Sequence, residues 1–170
     1  MLEELMKTIK ADEASGAMQR RMEEGQARAL ESLQNPRSND SISRASAPRT
    51  WYYDPSIVVT ENIMAEGKVI VAAGTKVNPL DKVNWSKTWV FIDARDAPQL
   101  SYAKRVVSQL RGNAKVILTG GQLKDASVAL GQAVYFDQGA RLVSRFGIVA
   151  TPATVRQEGK RLRIDEVLPR

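Results

Sequence analysis

Three apolar runs with strand character, separated by segments with helical periodicity, constrain the fold of this chain more than any other feature. The runs occupy residues 89–93, 115–119 and 133–137, and they are rich in β-branched or aromatic residues, as buried strands are. Residues 97–111 place their apolar side chains on one helical face, and residues 122–130 form a shorter helical segment. Strands that alternate with helices form parallel pairs joined by right-handed crossovers. The sequence therefore predicts an α/β fold.

The C-terminal segments extend this pattern into a mixed sheet. Residues 138–146 are predicted as a third helix, which ends at Gly147. Residues 153–157 and 161–164 flank a tight turn and predict an antiparallel hairpin. The predicted order over residues 86–170 is therefore βαβαβαββ.

A β-rich lead-in over residues 51–85 is predicted to precede this core. Residues 57–59 have strand character. Residues 68–71 and 75–77 flank an Ala-Ala-Gly turn signal at 72–74, which predicts a hairpin between them.

The composition changes abruptly at residue 51. The first fifty residues contain no Val, Phe, Trp or Tyr, and their acidic and basic residues balance, so the net charge of +6 belongs wholly to residues 51–170. Residues 1–34 are dominated by good helix formers and predict an amphipathic helical segment. Residues 35–50 carry two prolines and small polar side chains, which predict a flexible linker. Residues 51–170 are predicted to form the globular domain.

The N-terminal segment carries one narrow apolar stripe. Its members recur at spacings of three, four or seven residues and are Leu2, Leu5, Ile9 and then Met18, Met22, Ala29 and Leu33. The Leu, Ile and Met residues among them, together with Leu30, are candidates for a partner contact. Such a stripe cannot make a core by itself. It needs a partner surface, which is the body of this protein, a second copy or another chain.

The chain contains neither Cys nor His, and this excludes much chemistry. It can form no disulfide or thiolate nucleophile, and it has no imidazole to serve as a general base or metal ligand. No apolar run approaches the roughly 18 residues of a membrane span, and no signal peptide is visible after Met1. A natural start at Met1 would indicate a cytoplasmic protein, whereas a leader removed beforehand would leave the same sequence.

The candidate sites are the acidic cluster at residues 93–96, Asp137, and the turn at residues 119–121. Each also has a purely structural interpretation. Asp93, Arg95 and Asp96 follow the first core strand, where α/β folds bind ligands, so a hydrolase that uses the two carboxylates is one hypothesis. The structural alternative is a helix start in which Asp96 is the N-cap. Asp137 is favoured as the N-cap of helix 138–146, with a partner contact as the alternative. Residues 119–121 fit a strand-to-helix turn and lack a phosphate-loop motif.

Cations and aromatic residues give two further candidate surfaces. The cations crowd the C-terminal hairpin and are Arg156, Lys160, Arg161, Arg163 and Arg170. They could bind phosphate, which makes a basic nucleic-acid-binding protein the alternative function, or they could protect an open sheet edge. The aromatic residues are Trp51, Tyr52, Tyr53, Trp85 and Trp89; the first three are candidates for a partly exposed partner contact, while Trp89 is expected to be buried.

Residues 141–155 resemble the thioredoxin pattern of a short helix, an aromatic-Gly-Ile sequence and a proline before a strand. The resemblance implies a cis peptide bond before Pro152, facing the position of the thioredoxin dithiol. Residues 93–98 occupy that position here and contain no Cys. The resemblance therefore predicts a thioredoxin-like mixed sheet without the redox chemistry.

More specific blocks resemble the TraW family of F-type conjugative transfer systems. They occur in one order at residues 49–56, 73–80, 91–93, 135–139, 146–148 and 151–164. The resemblance implies a periplasmic protein of a type IV secretion system that is needed for pilus assembly and plasmid DNA transfer. It further implies that the protein works with TrbC and other transfer-system proteins, without catalysis or a cofactor. The family's leader is missing, so the chain is expected to be a mature or trimmed form.

Overall fold

The computed structural model of the protein describes residues 16–34 and 36–169, which belong to two compact units. The first unit ends at Arg37 and contains helix α1 (Ala17–Gln34). This helix confirms the helical prediction over the described part of residues 1–34. The predicted stripe residues Leu2, Leu5 and Ile9 lie outside the described residues.

The second unit begins at Ser38 and contains the sheet. Its strands are β1 (Ser43–Arg44), β2 (Arg49–Tyr53), β3 (Ile57–Val58), β4 (Ile63–Ala65), β5 (Lys68–Val71), β6 (Lys76–Val77), β7 (Thr88–Asp93), β8 (Ala114–Gly120), β9 (Val134–Phe136), β10 (Ala150–Thr151), β11 (Ala153–Glu158) and β12 (Arg161–Glu166). Its α-helices are α2 (Ala97–Leu110), α3 (Leu123–Leu130) and α4 (Arg141–Phe146), and short 3₁₀ turns span Pro79–Asp81 and Gln138–Ala140.

Six strands form one mixed sheet in the order β2-β12-β11-β7-β8-β9. Strands β7, β8 and β9 are parallel, whereas β11, β12 and β2 are antiparallel to their neighbours. The predicted α/β class is confirmed, and the elements from β7 onward follow the predicted βαβαβαββ order except for the short strand β10, which pairs with β1 outside this sheet. The Thr151–Pro152 peptide bond is cis, the isomer that the sequence resemblance predicts.

Each face of the sheet packs against its own set of elements, because successive strand residues point to opposite sides. Val90, Ile92 and Leu118 belong to the cluster that contains α2 and α3 residues. Phe91 and Ile117, one position along in each strand, belong to the other cluster, which contains α4 residues. Both faces of β7 are therefore buried, as its uninterrupted apolar sequence predicts.

The structure differs from the predicted linker over residues 38–50. The Asn39 N–H donates to the Thr119 carbonyl, and β1 pairs in parallel with β10. Ala45 is buried and donates its N–H to the Thr151 carbonyl. Backbone hydrogen bonds thus attach a segment whose small side chains offer little apolar area, so the second unit begins well before residue 51.

The predicted hairpin between residues 68–71 and 75–77 is wrong. Strand β5 pairs with β4, and β6 pairs with β3, so the β4–β5 pair is nested within the β3–β6 pair along the chain. The tight turn lies at Glu66 and Gly67, which both have positive φ values, 50° and 74°. Two consecutive left-handed residues match the twist of a two-residue hairpin, which explains why the chain turns there. We call residues 57–77 the arm.

Leu118→Ala is expected to lower the free energy of unfolding by about 2–5 kcal/mol, because Leu118 is fully buried in β8 and its truncation leaves a cavity. The matched control is Val128→Ala, since Val128 is 78% exposed on α3 and its loss is expected to change stability by less than about 0.5 kcal/mol. Urea unfolding of both variants measures the difference. Equal destabilisation by the two would contradict the placement of the core.

Candidate protein-interaction site

The arm carries large apolar side chains that its own domain does not bury. Six of them are at least half exposed: Ile57, Val58, Ile63, Met64, Val69 and Ile70. Exposed apolar residues are ordinary when scattered singly, but a contiguous group marks an interaction surface. A two-stranded ribbon is also marginally stable in water when nothing packs against it. The arm therefore has the composition of an element that another surface covers.

Apolar residues occupy both sides of the arm. Ile57 and Val58 are consecutive in β3, and Ile63 and Met64 are consecutive in β4. Since consecutive strand residues point to opposite sides, each of these strands places apolar side chains on both faces of the arm. Covering one face alone would leave the other in water.

An ion pair joins the two ends of the arm where it leaves the domain. The Asp54 carboxylate accepts a hydrogen bond from the Ser56 N–H at 2.9 Å and from Lys76 Nζ at 3.2 Å. Hydrogen bonds from Ser56, followed by those from Lys76, lower the pKa of Asp54 to about 2. The base of the arm is thus held by a carboxylate that is ionised at neutral pH.

A groove of about 490 Å³ opens where the arm meets the domain. Pro55 and Pro79, which flank the arm, both line it. Its apolar walls come mainly from Tyr53, Val83, Trp85, Trp89, Leu142 and Phe146. We call this cavity the groove. The groove therefore lies beside the two ends of the arm.

Aromatic contacts fix the walls of the groove. The rings of Trp85 and Trp89 lie 4.3 Å apart, and the Tyr53 ring meets Phe146 edge to face at 5.5 Å. The Trp85 backbone N–H donates to the Gln157 side chain at 2.7 Å, which anchors this wall to β11. Each aromatic pair stabilises the fold by roughly 0.5–1.5 kcal/mol beyond the contribution of its buried area.

Arg145 is the one cation that lines the groove. Its Nε donates to the Tyr53 hydroxyl at 3.1 Å. Among the described residues no carboxylate pairs with this guanidinium, and Arg145 is exposed. The groove therefore combines apolar walls with one positive charge that is open to solvent.

The predicted aromatic contact at residues 51–53 divides between the two faces of edge strand β2. Trp51 is half-buried, donates its indole N–H to the Phe146 carbonyl at 2.9 Å and packs on the core. Tyr53 packs against the same cluster. Tyr52 is 40% exposed on the opposite face, where its hydroxyl donates to Glu158. A partner contact at these three residues stays a prediction, and Tyr52 is its most exposed member. Trp89, which was expected to be buried, is half-buried beside Lys115.

The structure gives Asp93 and Asp96 cationic partners. Asp93 accepts hydrogen bonds from the backbone and side chain of Arg95, while Asp96 lies 3.3 Å from Arg44 and accepts from Gln99 Nε2. Burial raises the pKa of Asp93, but the Arg95 hydrogen bonds and charge outweigh it, so the pKa lies below its ordinary value. Asp96 holds the N-cap position of α2 without a side-chain bond to the helix amides.

No group of three metal-ligating side chains occurs among the described residues. The Asp93 region nevertheless shows why β8 ends in a glycine. A Cβ on Gly120 would lie 2.7 Å from the Asp93 carboxylate oxygen Oδ1, so only glycine permits this approach. Thr119 and Gly120 end β8, and the strand-to-helix turn that the sequence favours lies at Gly121, which has a φ of 94°.

Asp137 acts as a helix cap, as predicted, but for a helix that begins later. Its buried carboxylate accepts from the backbone N–H groups of Leu142 and Val143, each at 2.9 Å. These amides lie in the first turn of α4, which begins at Arg141 instead of residue 138. Helix N-termini have free N–H groups, and the carboxylate satisfies two of them.

The cations of the C-terminal hairpin are largely paired. Arg163 and Arg156 lie 3.0 and 3.8 Å from Asp165, and Lys160 pairs with Asp81. Arg161 lies over the Tyr52 ring at 4.6 Å, and Arg170 lies outside the described residues. This arrangement neutralises much of the predicted stripe, and nucleic-acid binding stays an untested alternative.

Sequence reasoning missed Glu166, a carboxylate that is only 3% exposed. It accepts from Arg49 Nε and Nη2 at 3.0 Å and from the N–H groups of Val149 and Ala150 at 2.8 and 3.0 Å. The available signal was its register, because Leu162, Ile164 and Glu166 share one face of β12. Because Leu162 and Ile164 are apolar and share that face, Glu166 is expected to be buried there with a partner for its charge.

A comparison with known proteins gives a relative that spans most of the chain. The chain is 32% identical over 156 residues to Protein TraW of Escherichia coli (strain K12), and the match covers 91% of this chain and 74% of that protein. No family model and no solved structure matches it. Within the described residues, no helix has the length and apolar character needed to cross a membrane.

Arg95→Gln is expected to raise the pKa of Asp93, because burial then acts without the opposing guanidinium. In the unmodified protein the depressed pKa stabilises the fold above the pKa of the unfolded chain, and this stability is lost as pH falls through the folded value. The free energy of unfolding should therefore fall less steeply in acid for the variant. Carboxyl NMR titration and urea unfolding from about pH 6 to 2 measure both effects.

Arg141→Gln is the control for this substitution, since Arg141 is exposed and has no ion pair among the described residues. An Asp93 pKa that is the same in Arg95→Gln and in this control would contradict the assigned cause.

Proposed function

The chain belongs to the TraW family, and from this premise we propose that it is an assembly factor of an F-type conjugative transfer system, needed in the periplasm for pilus assembly and plasmid DNA transfer. It acts through contacts with TrbC and other transfer-system proteins, without catalysing a reaction. Family membership is the observation that carries this proposal. The exposed apolar arm and groove support a function based on binding.

We further propose that the globular unit is a thioredoxin-like scaffold used for binding. The cis Thr151–Pro152 bond leads into β11, which pairs with β7 so that Ala153 lies opposite Phe91. The register therefore brings Pro152 beside the end of β7, where α2 begins. In thioredoxins this is the place of the dithiol. Here Asp93 and Arg95 form an ion pair at that place, and the chain has no Cys.

Helix α1 is the surface that we assign to TrbC. Met18 and Met22 lie one turn apart and are 48% and 61% exposed. Leu33 continues the same stripe in the sequence. Apolar residues at these spacings are the anchors of a helix that lies in a groove of another protein. Methionine suits such a contact because its flexible side chain adapts to the partner surface.

Met22→Asp is expected to weaken TrbC binding by about tenfold or more, because a charge would be buried in the contact. Leu30→Asp and Leu33→Asp should act similarly, without unfolding residues 51–170. Ala27→Asp is the matched control, since Ala27 is exposed and the substitution adds the same charge about 140° around the helix from Met22. Isothermal titration calorimetry with purified TrbC measures the affinities.

The two parts of this proposal fail separately. Absence of any interaction at tens of micromolar would refute the pairing with TrbC. An equal loss for Met22→Asp and Ala27→Asp would instead refute the assignment to the α1 stripe. Loss of plasmid transfer in cells that lack the protein, restored by the unmodified chain, tests the role in conjugation.

A further inference from the structure

The residues in and around strand β4 indicate which kind of surface would bind the arm. Its strand β4 exposes Ile63 and Met64, and two acidic residues flank it, Glu61 and Glu66. Both acidic side chains are exposed, and neither has an ion pair among the described residues. A surface with apolar walls and a cation next to them would complement this strand, although the exposed Lys68 lies two residues from Glu66.

The groove has that chemistry. Trp85, Trp89 and Leu142 provide apolar walls, and Arg145 provides the exposed cation. The cavity of about 490 Å³ is large enough for several aliphatic side chains. The arm of the same chain contributes none of the lining residues, since the lining includes Pro55 and Pro79 but nothing between them.

We propose that the arm of one copy docks in the groove of a second copy, so that two chains form a symmetric dimer by exchanging arms. Ile63 supplies the apolar contact in the groove, Met64 lies on the face that meets the other arm, and Glu61 or Glu66 pairs with Arg145 of the other copy. The arm and the groove lie side by side on each chain, so the same contact occurs twice about a two-fold axis and the assembly closes.

The exchange also accounts for the two apolar faces of the arm. A groove covers one face of each arm, and the two arms meet along the other face near the axis. The net charge of +6 on each chain opposes this association. Measurements therefore belong at about 0.15 M salt, where charges more than roughly 8 Å apart are screened.

Sedimentation equilibrium of the full chain tests the proposal, and a concentration-dependent dimer is expected. Ile63→Asp should raise the dimer dissociation constant about tenfold or more, because it places a charge in the apolar contact. Val128→Asp is the matched control on an exposed valine of α3, and it should leave the dimer unchanged. Thermal unfolding of both variants checks that each remains folded.

Charge reversal tests the pairing itself. If Glu66 is the partner, Arg145→Glu and Glu66→Arg should each weaken the dimer, and the double variant should restore it. If Glu61 is the partner, the same result is expected for Arg145→Glu and Glu61→Arg. A chain that stays monomeric at hundreds of micromolar would overturn the proposal. So would a dimer that tolerates Ile63→Asp, or one that neither reversed pair restores. A monomer whose Ile63→Asp variant loses TrbC binding would place a different protein on the arm.

Discussion

The contact between Arg49 and Glu166 holds the groove side of the domain together. Glu166 is buried and accepts hydrogen bonds from Arg49 and from two backbone N–H groups. Arg49 also donates to the Gly147 carbonyl at 2.7 Å and stacks over Trp51 at 4.0 Å. Edge strand β2, strand β12 and the segment after α4 therefore meet at one carboxylate. Removal of Arg49, whose side chain is 47% exposed, would leave the buried Glu166 carboxylate without its cation and destabilise this junction.

This contact also positions the groove. Trp51 follows Arg49 by two residues and donates to the Phe146 carbonyl, and Tyr53 packs on the Phe146 ring. The placement of β2 at the sheet edge therefore brings a wall of the groove into position. Because β2 pairs with β12 over five residues, a single register fixes all three side chains on the same face.

The element order was accessible from the sequence because it depends on local periodicity. The run at residues 89–93 can be a buried strand whatever its neighbours are, and residues 97–111 form an amphipathic helix by their own pattern. Pairing partners depend on contacts between distant residues. The hairpin error shows this, since Gly67 and Gly74 are both turn signals and only the pairing of β4 with β5 distinguishes them. Glu166 was missed for the same reason, because its partner Arg49 lies 117 residues away.

The site was harder to predict than the fold because its residues are ordinary strand residues. Ile63 and Met64 look like core residues in the sequence, and only their exposure identifies them as a surface. The β11–β12 hairpin contrasts with the arm, because its exposed positions carry paired charges. In the β11–β12 hairpin, Arg156 lies directly opposite Arg163, and Asp165 compensates the like charges. Exposed strand positions in this part of the chain are therefore polar. The exposed residues of the arm are aliphatic instead, as expected for a surface that contacts another protein.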